Sequence, residues 1–125
     1  NHNTGTLKFA GAQNAGLLIQ NGEMLPLLAS KYTIGGLLAG TNKPFETTTV
    51  PVSKDDLIYL YTDGYQDQFG GPNGKKFYRK KLLSMIESIQ HQPMSEQLKI
   101  INATFLEWKG PLTQIDDVTV MGLKI

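Results

Sequence analysis

Aspartates beside two apolar runs are the residues of this chain best placed to do chemistry. Asp63-Gly64 ends one apolar run, and Asp116-Asp117 precedes another. If the two runs are antiparallel neighbours in a sheet, the end of one lies beside the start of the other, and three carboxylates meet at one edge. Crowded carboxylates repel one another unless a cation neutralises them, and hard oxygen ligands favour Mg²⁺ or Mn²⁺. The pattern therefore raises the hypothesis of a metal site, in which Gly64 lets the backbone approach a hydrated ion.

A simpler interpretation of the same residues needs no metal. Asp-Gly is a common turn, and an Asp-Asp pair often stands where a strand begins. The two motifs lie some fifty residues apart, so their spacing alone favours the turn interpretation.

Several other kinds of site find no support in the sequence. Gly74-Lys75 suggests a phosphate-binding loop, but Phe69 and Lys76 stand where that motif needs glycine and Ser or Thr, and no G-x-G-x-x-G occurs. The chain has no cysteine, which excludes disulfides and thiolate zinc sites. His2 and His91 are isolated from each other, so we expect both to be solvated and without a catalytic role.

One basic cluster at residues 75–81 has two interpretations. Its lysines and arginine are interleaved with Phe77 and Tyr78, a composition that could hold a phosphate-bearing substrate or nucleic acid. Alternatively, the cluster is the solvated start of a helix whose aromatic side chains anchor a loop to the core. The net charge of +1 favours the second interpretation.

Hydrophobic periodicity indicates which elements position these residues. Alternation predicts a strand over residues 6–10, Asn21-Gly22 predicts a type I′ hairpin between residues 17–20 and 23–28, and residues 34–40 form a glycine-punctuated loop. Further strands are expected over residues 45–52, 57–62 and 118–125, with 57–62 as a central strand covered on both faces. Helical spacing predicts helices over residues 79–90 and 94–108. This order predicts an α+β fold with mainly antiparallel sheets flanked by two helices.

Length and composition bound the remaining possibilities. The 125 residues, 40% hydrophobic and 18% charged, suit one small globular domain or part of a larger one. No apolar run approaches the roughly 20 residues that span a bilayer, and the first residues lack the features of a signal peptide. We therefore expect a cytoplasmic segment without membrane contact, cut from a longer protein.

Three motifs, taken in order, resemble the C-terminal half of the SpoIIE-like serine phosphatases, a bacterial branch of the metal-dependent PP2C (PPM) family. They are the run from Leu7 to Asn14 with its hairpin, the run from Leu57 to Gly64, and Asp116-Asp117-Val118-Thr119. The resemblance covers residues 6–125. It implies a partial PP2C-like β-sandwich flanked by helices, with residues 1–125 forming the C-terminal part of one phosphatase domain.

The resemblance also implies a mechanism and ligands. In this family two Mg²⁺ or Mn²⁺ ions direct a metal-bound hydroxide at a phosphoserine or phosphothreonine. Asp63 matches the ligand of the family's Thr-Asp-Gly motif, and Asp116 matches that of its terminal Asp-Asp motif. Gly64 stands beside the first ligand, and Asp117 is expected to support the second.

Departures from the family pattern limit what this chain can do alone. The family's bridging aspartate, followed by a Gly-His-Gly type motif, has no match here, so the isolated chain is expected to be inactive or nearly so.

The implied partners are a phosphorylated protein, such as an anti-sigma-factor antagonist, and an upstream sensor domain that could anchor the full-length protein to a membrane. A non-catalytic phosphatase-like module that binds a regulatory partner is the alternative; nucleic-acid binding by residues 75–81 is a weaker one.

Overall fold

The computed structural model describes residues 5–34 and 44–125. The described residues up to Leu60, together with Lys124–Ile125, form one compact unit, and Tyr61–Leu123 form a second. The described secondary structure, in chain order, comprises β1 (Thr6–Phe9), β2 (Gly11–Ala12), β3 (Gly16–Gln20), β4 (Glu23–Leu27), β5 (Ala29–Ser30), β6 (Thr48–Pro51), β7 (Leu57–Tyr61), α1 (Gly64–Asp67), β8 (Phe69–Gly70), β9 (Lys75–Lys76), α2 (Arg79–Ile89), α3 (Met94–Lys109) and β10 (Val120–Lys124).

The first unit is built around the hairpin of β3 and β4. Its two strands pair antiparallel, with Leu18 opposite Leu25, and the turn between them places Asn21 and Gly22 at positive φ angles of 51° and 83°. Positive φ at both central residues is what a type I′ turn requires. The predicted hairpin is therefore confirmed.

Strand β7 pairs antiparallel with β3, so that Ile58 lies opposite Leu18. Successive residues of a strand point to opposite faces of the sheet, yet Leu57, Ile58 and Tyr59 are all buried. The near-continuous apolar run predicts a strand that is covered on both faces. The burial of these three residues confirms this prediction for β7.

A second pair of strands covers one face of this sheet. Strands β1 and β6 pair antiparallel, and their side chains Leu7, Phe9 and Val50 pack against a buried cluster that contains Leu18 and Ile58. Two sheets that share one apolar layer form a sandwich. Within this unit β2 and β5 form a parallel pair, a minor exception to the antiparallel pattern.

The second unit is organised by aromatic contacts. Tyr65 and Phe77 meet edge to face with ring centroids 5.2 Å apart, and Phe77 meets Trp108 of α3 in the same way at 5.3 Å. Phe105 lies 5.0 Å from Tyr65. Because Tyr65 belongs to α1 and Phe77 follows β9, these contacts fix the short elements between residues 64 and 78 onto α3.

The two predicted helices are present, and both end close to the expected residues. Helix α3 stops where Gly110 adopts a positive φ of 52° and its N–H donates to the carbonyl oxygen of Leu106. This is the glycine termination that Gly110-Pro111 predicts. No helix in the described ranges is long and apolar enough to cross a membrane.

The α+β class with mainly antiparallel sheets is confirmed, with some differences in detail. Strands expected over residues 45–52 and 118–125 are shorter, covering Thr48–Pro51 and Val120–Lys124. The one-turn helix α1 was not predicted, because four residues are too few to show helical periodicity. Residues 35–40 of the expected glycine-rich loop lie outside the described residues.

Candidate metal centre

Three hydrogen bonds join the segment after β7 to the segment before β10. The Thr62 N–H donates to the carbonyl oxygen of Thr119 over 3.0 Å, and the Thr119 N–H donates to the Thr62 hydroxyl oxygen over 2.9 Å. The same hydroxyl donates to the carbonyl oxygen of Asp117 over 2.9 Å. The Thr62 side chain therefore both donates and accepts across this junction, and it fixes the Asp117 backbone beside the residue that precedes Asp63.

Gly64 lies directly against the same carbonyl group. A Cβ atom at Gly64 would stand 3.0 Å from the Asp117 carbonyl carbon and only 2.4 Å from its oxygen, and the second distance is shorter than real Cβ contacts. The glycine is thus required by the close approach of two backbone segments. This steric reason is independent of the predicted role of Gly64 beside a metal ion, which remains a prediction.

The Asp63 carboxylate is exposed and is not used to stabilise the helix that it precedes. Asp63 stands at the N-cap of α1 but has helical dihedral angles, φ −71° and ψ −18°, and its side chain makes no capping hydrogen bond. Aspartate at an N-cap usually accepts a hydrogen bond from the first turn of the helix. Because this one does not, both of its carboxylate oxygens are left for another partner.

Asp116 and Asp117 are also exposed, and they differ in how their side chains are held. One Asp116 carboxylate oxygen, Oδ1, accepts the N–H of Asp117 over 2.7 Å, and the Asp116 carbonyl oxygen accepts from the Gln114 side chain over 2.8 Å. These contacts orient the Asp116 carboxylate while leaving its second oxygen for a ligand. The Asp117 residue is held through its backbone, by Thr62.

Within the described residues, Asp63, Asp116 and Asp117 have no basic side chain as an ion-pair partner. Among residues 5–34 and 44–125, the ion pairs involve other acidic residues, namely Asp55, Asp67 and Glu96. Carboxylates that have no basic partner can accept a bound cation as their counter-charge. The charge distribution is therefore compatible with the predicted metal site.

The donor set is nevertheless incomplete. Carboxylate oxygens are the ligand type that Mg²⁺ and Mn²⁺ prefer, and Asp63, Asp116 and Asp117 all supply them. In the part of the chain that the structure describes, however, no three His, Cys, Asp or Glu side chains are grouped closely enough to hold a metal ion. The junction at Thr62 brings the backbones of the two motifs together, but their side chains alone do not make a finished site.

The residue that sequence reasoning missed is Thr62. The sequence predicts Thr62 only as the last residue of the strand over residues 57–62, whereas in the structure its hydroxyl makes two of the hydrogen bonds at the junction. A hydroxyl residue directly before Asp-Gly, at the end of an otherwise apolar run, is the signal that could have found it. His91 is exposed in the turn between α2 and α3, as expected, and His2 lies outside the described residues.

A family model and two solved structures are similar to this chain. The family model described as "Stage II sporulation protein E (SpoIIE)" matches residues 1–125. The solved SiaA-PP2C domain of Pseudomonas aeruginosa is 29% identical over 98% of this chain, with a TM-score of 0.86. The structure of RsbX in complex with magnesium is 18% identical over 98% of the chain, with a TM-score of 0.55. Among curated protein sequences none matches significantly.

The matched structures are about twice as long as this chain. The chain covers 47% of the SiaA-PP2C chain and 50% of the RsbX chain, so it spans about half the length of the structures it matches. The similarity to the SiaA-PP2C domain confirms the predicted PP2C-like fold.

Proposed function

Because this chain belongs to the SpoIIE family of PP2C-type phosphatase domains, we propose that it forms part of a metal-dependent enzyme that hydrolyses phosphoserine or phosphothreonine in proteins. The observation that carries the proposal is the junction at Thr62, whose hydroxyl lies 2.9 Å from the Asp117 carbonyl oxygen. This contact brings the backbone of the Thr62-Asp63-Gly64 motif against that of the Asp116-Asp117 motif. The three carboxylates of these motifs lack basic partners in the described ranges.

The residues of this chain have distinct parts in the proposed enzyme. Asp63 and Asp116 are the ligands, Asp117 supports Asp116 through its N–H, and Gly64 lets the two backbone segments approach. A bound Mg²⁺ or Mn²⁺ would lower the pKa of an attacking water and neutralise charge that builds on the phosphoryl oxygens. The magnesium present in the RsbX structure supports a divalent cation.

The missing ligands come, in this proposal, from outside the 125 residues. The chain spans about half the length of the structures it matches, and its described acidic residues form no complete ligand group. A carboxylate site short of ligands binds a divalent cation weakly, because Mg²⁺ and Mn²⁺ need several oxygen donors in a fixed geometry. The isolated chain is therefore expected to be inactive or nearly so.

The wider setting is also a proposal. We infer that the enzyme acts in bacterial signalling in the cytoplasm, on a phosphoprotein such as an anti-sigma-factor antagonist, and that further regions of the protein carry its sensor. A second candidate function is a non-catalytic phosphatase-like module that binds a regulatory partner. The incomplete donor set among the described residues favours this alternative unless another segment completes it.

One experiment separates the two functions. The intact gene product and the isolated 125-residue chain are each incubated with a phosphoserine peptide and Mn²⁺, with and without EDTA, while phosphate release is measured. The phosphatase proposal predicts turnover by the intact protein that EDTA abolishes, and little or none by the isolated chain. If the intact protein shows no turnover at any Mn²⁺ or Mg²⁺ concentration, the result favours the binding module. Robust turnover by the isolated chain would refute the proposal that it lacks ligands needed for activity.

A further inference from the structure

A pocket in the second unit combines basic side chains with an aromatic wall. It has a volume of about 210 Å³, and its lining includes Lys75, Lys76, Tyr78, Lys81 and Trp108. We call it the basic pocket. These residues come from the cluster at residues 75–81, together with the sole tryptophan of the chain on α3. The pocket therefore gives the basic cluster a shape that the sequence alone does not show.

The basic pocket carries uncompensated positive charge. Lys76 forms an ion pair with Asp67 at 3.2 Å, but in the described part of the chain Lys75 and Lys81 have no carboxylate within ion-pair distance. Arg79 and Lys80 stand between Tyr78 and Lys81 in the sequence, and the first turn of α2 contains no acidic residue. The electrostatic potential at the pocket is therefore positive and attracts an anionic ligand, although the net charge of the whole chain is only +1.

The wall of the basic pocket is rigid and apolar. The Trp108 indole N–H donates to the Gln68 carbonyl oxygen over 3.1 Å, and Gly71 lies against the ring so closely that a Cβ there would be 2.5 Å from it. Lys81 Nζ stands 3.8 Å from the centroid of the Trp108 ring. The Lys81 ammonium group thus covers one face of the ring. An apolar side chain of a ligand would pack against the part of Trp108 that lines the pocket.

Tyr78 is held in an unusual conformation at the same place. Its φ of 66° and ψ of 143° lie in a region that is almost restricted to glycine, and its side chain is 54% exposed. The conformation is maintained by backbone hydrogen bonds, since the Tyr78 N–H donates to Gln66 and its carbonyl oxygen accepts from Lys81 and Leu82. Strain of this kind persists where the surrounding structure fixes it, and it is frequent at binding sites.

A single helical turn connects the basic pocket to the candidate metal centre. Asp63 stands at the start of α1, and Asp67, the partner of Lys76, is its last residue; the Asp67 N–H donates to the Asp63 carbonyl oxygen over 2.9 Å. Four residues of helix rise by about 6 Å. A peptide bound at the metal centre could thus place neighbouring residues in the pocket.

We propose that the basic pocket binds an acidic segment of the phosphoprotein substrate, with an apolar side chain against Trp108 and flanking carboxylates at Lys75 and Lys81. The identification of the ligand as part of a phosphoprotein substrate rests on the proposed phosphatase function. Charge complementarity selects an acidic ligand, and the aromatic wall selects one that also carries an apolar group. Nucleic acid fits less well, because the chain has no extended excess of positive charge to follow a phosphate backbone.

The test measures binding without metal or turnover. A fluorescein-labelled, non-phosphorylated peptide with one leucine between glutamates is titrated with the intact gene product in EDTA at low salt, and its anisotropy is recorded. A peptide with glutamine in place of every glutamate is the ligand control. Lys75→Glu and Lys81→Met test the pocket, the latter keeping the aliphatic stem over Trp108, and Lys99→Glu on the exposed surface of α3 is the matched protein control.

The expected result is binding of the acidic peptide that weakens by about fivefold or more in Lys75→Glu and Lys81→Met but not in Lys99→Glu. Equal affinity for the acidic and glutamine peptides would overturn the proposal, and so would equal loss in all three variants. Tighter binding of a thymidine oligonucleotide, lost in the same two pocket variants, would overturn it in favour of nucleic acid. Because no phosphate release is measured, failure of the phosphatase function leaves this result interpretable by itself.

Discussion

The hydroxyl of Thr62 donates a hydrogen bond to the carbonyl oxygen of Asp117 over 2.9 Å, across 55 positions of sequence. The Thr62 hydroxyl oxygen in turn accepts a hydrogen bond from the N–H of Thr119 over 2.9 Å. One side chain thus fixes the path of the chain next to two predicted ligands, Asp63 and Asp116. The geometry of the proposed metal centre consequently depends on a residue that is not among the predicted ligands.

Replacing Thr62 with valine tests this dependence. Thr62→Val keeps the shape of the side chain but removes one donor and one acceptor, so we expect the free energy of unfolding to fall by about 1–2 kcal/mol. Chemical denaturation of the intact protein measures the change. Thr62→Ser is the matched control, because it retains the hydroxyl and should restore most of the loss; if serine and valine cost the same, the hydrogen bonds are not the cause.

Gly64→Ala should be more damaging than its size suggests. The new methyl group would meet the Asp117 carbonyl oxygen at 2.4 Å, which forces the two backbone segments apart. We expect a loss of about 3 kcal/mol in unfolding free energy. Gly74→Ala is the comparison, since that glycine has open space around it and a positive φ of 58°, so only about 1 kcal/mol of backbone strain is expected there. An equal or smaller loss at Gly64 would contradict the close approach.

Tyr65 provides a prediction for stability and for its dependence on pH. Its buried hydroxyl donates to the Ile101 carbonyl oxygen over 2.8 Å, so Tyr65→Phe should cost about 1–2 kcal/mol. The exposed Tyr78 is the control, and Tyr78→Phe should change stability by less than about 0.5 kcal/mol. Thermal unfolding at neutral pH measures both, and similar effects of the two substitutions would show that the buried hydrogen bond contributes little.

Burial raises the pKa of Tyr65 above the ordinary value of 10.0, because the phenolate would lose its hydration. A raised pKa in the folded state gives a contribution to stability that is fully present below about pH 10 and is lost as the pH rises further. Unfolding measured between pH 8 and 11 should therefore show a steeper alkaline loss in the parent protein than in Tyr65→Phe. Parallel pH profiles would contradict the assignment.

Periodicity and turn chemistry made most of the fold predictable. Asn21-Gly22 can hardly be anything but a tight turn, and the uninterrupted apolar run of β7 fits only a strand that is covered on both faces. Strand ends were less predictable, since Thr62 and Thr119 make ladder-like hydrogen bonds just outside β7 and β10. Such contacts depend on the neighbouring segment, which local sequence does not specify.

The sequence identifies the acidic residues of the candidate site, but it does not identify the contacts that hold them in place. Asp63 and Asp116 were identified from the residue types and from the family resemblance, and their assignment as ligands remains a prediction. The contact of Gly64 with Asp117 joins positions more than fifty residues apart, and no pattern along the chain encodes it. The sequence does not predict the basic pocket for the same reason. Residues 75–81 are close in sequence, but Trp108 on α3, which completes the lining, is not.

The proposed metal centre is tested most directly by replacing its predicted ligand Asp63. Mn²⁺ affinity by calorimetry and phosphate release from a phosphoserine peptide are measured for the intact gene product, for Asp63→Asn, and for Asp55→Asn, which alters an exposed aspartate that pairs with Lys124. We expect Asp63→Asn to lower both quantities by about a hundredfold or more, and Asp55→Asn to leave both within about twofold of the parent protein. Unchanged metal affinity and unchanged turnover in Asp63→Asn would contradict it.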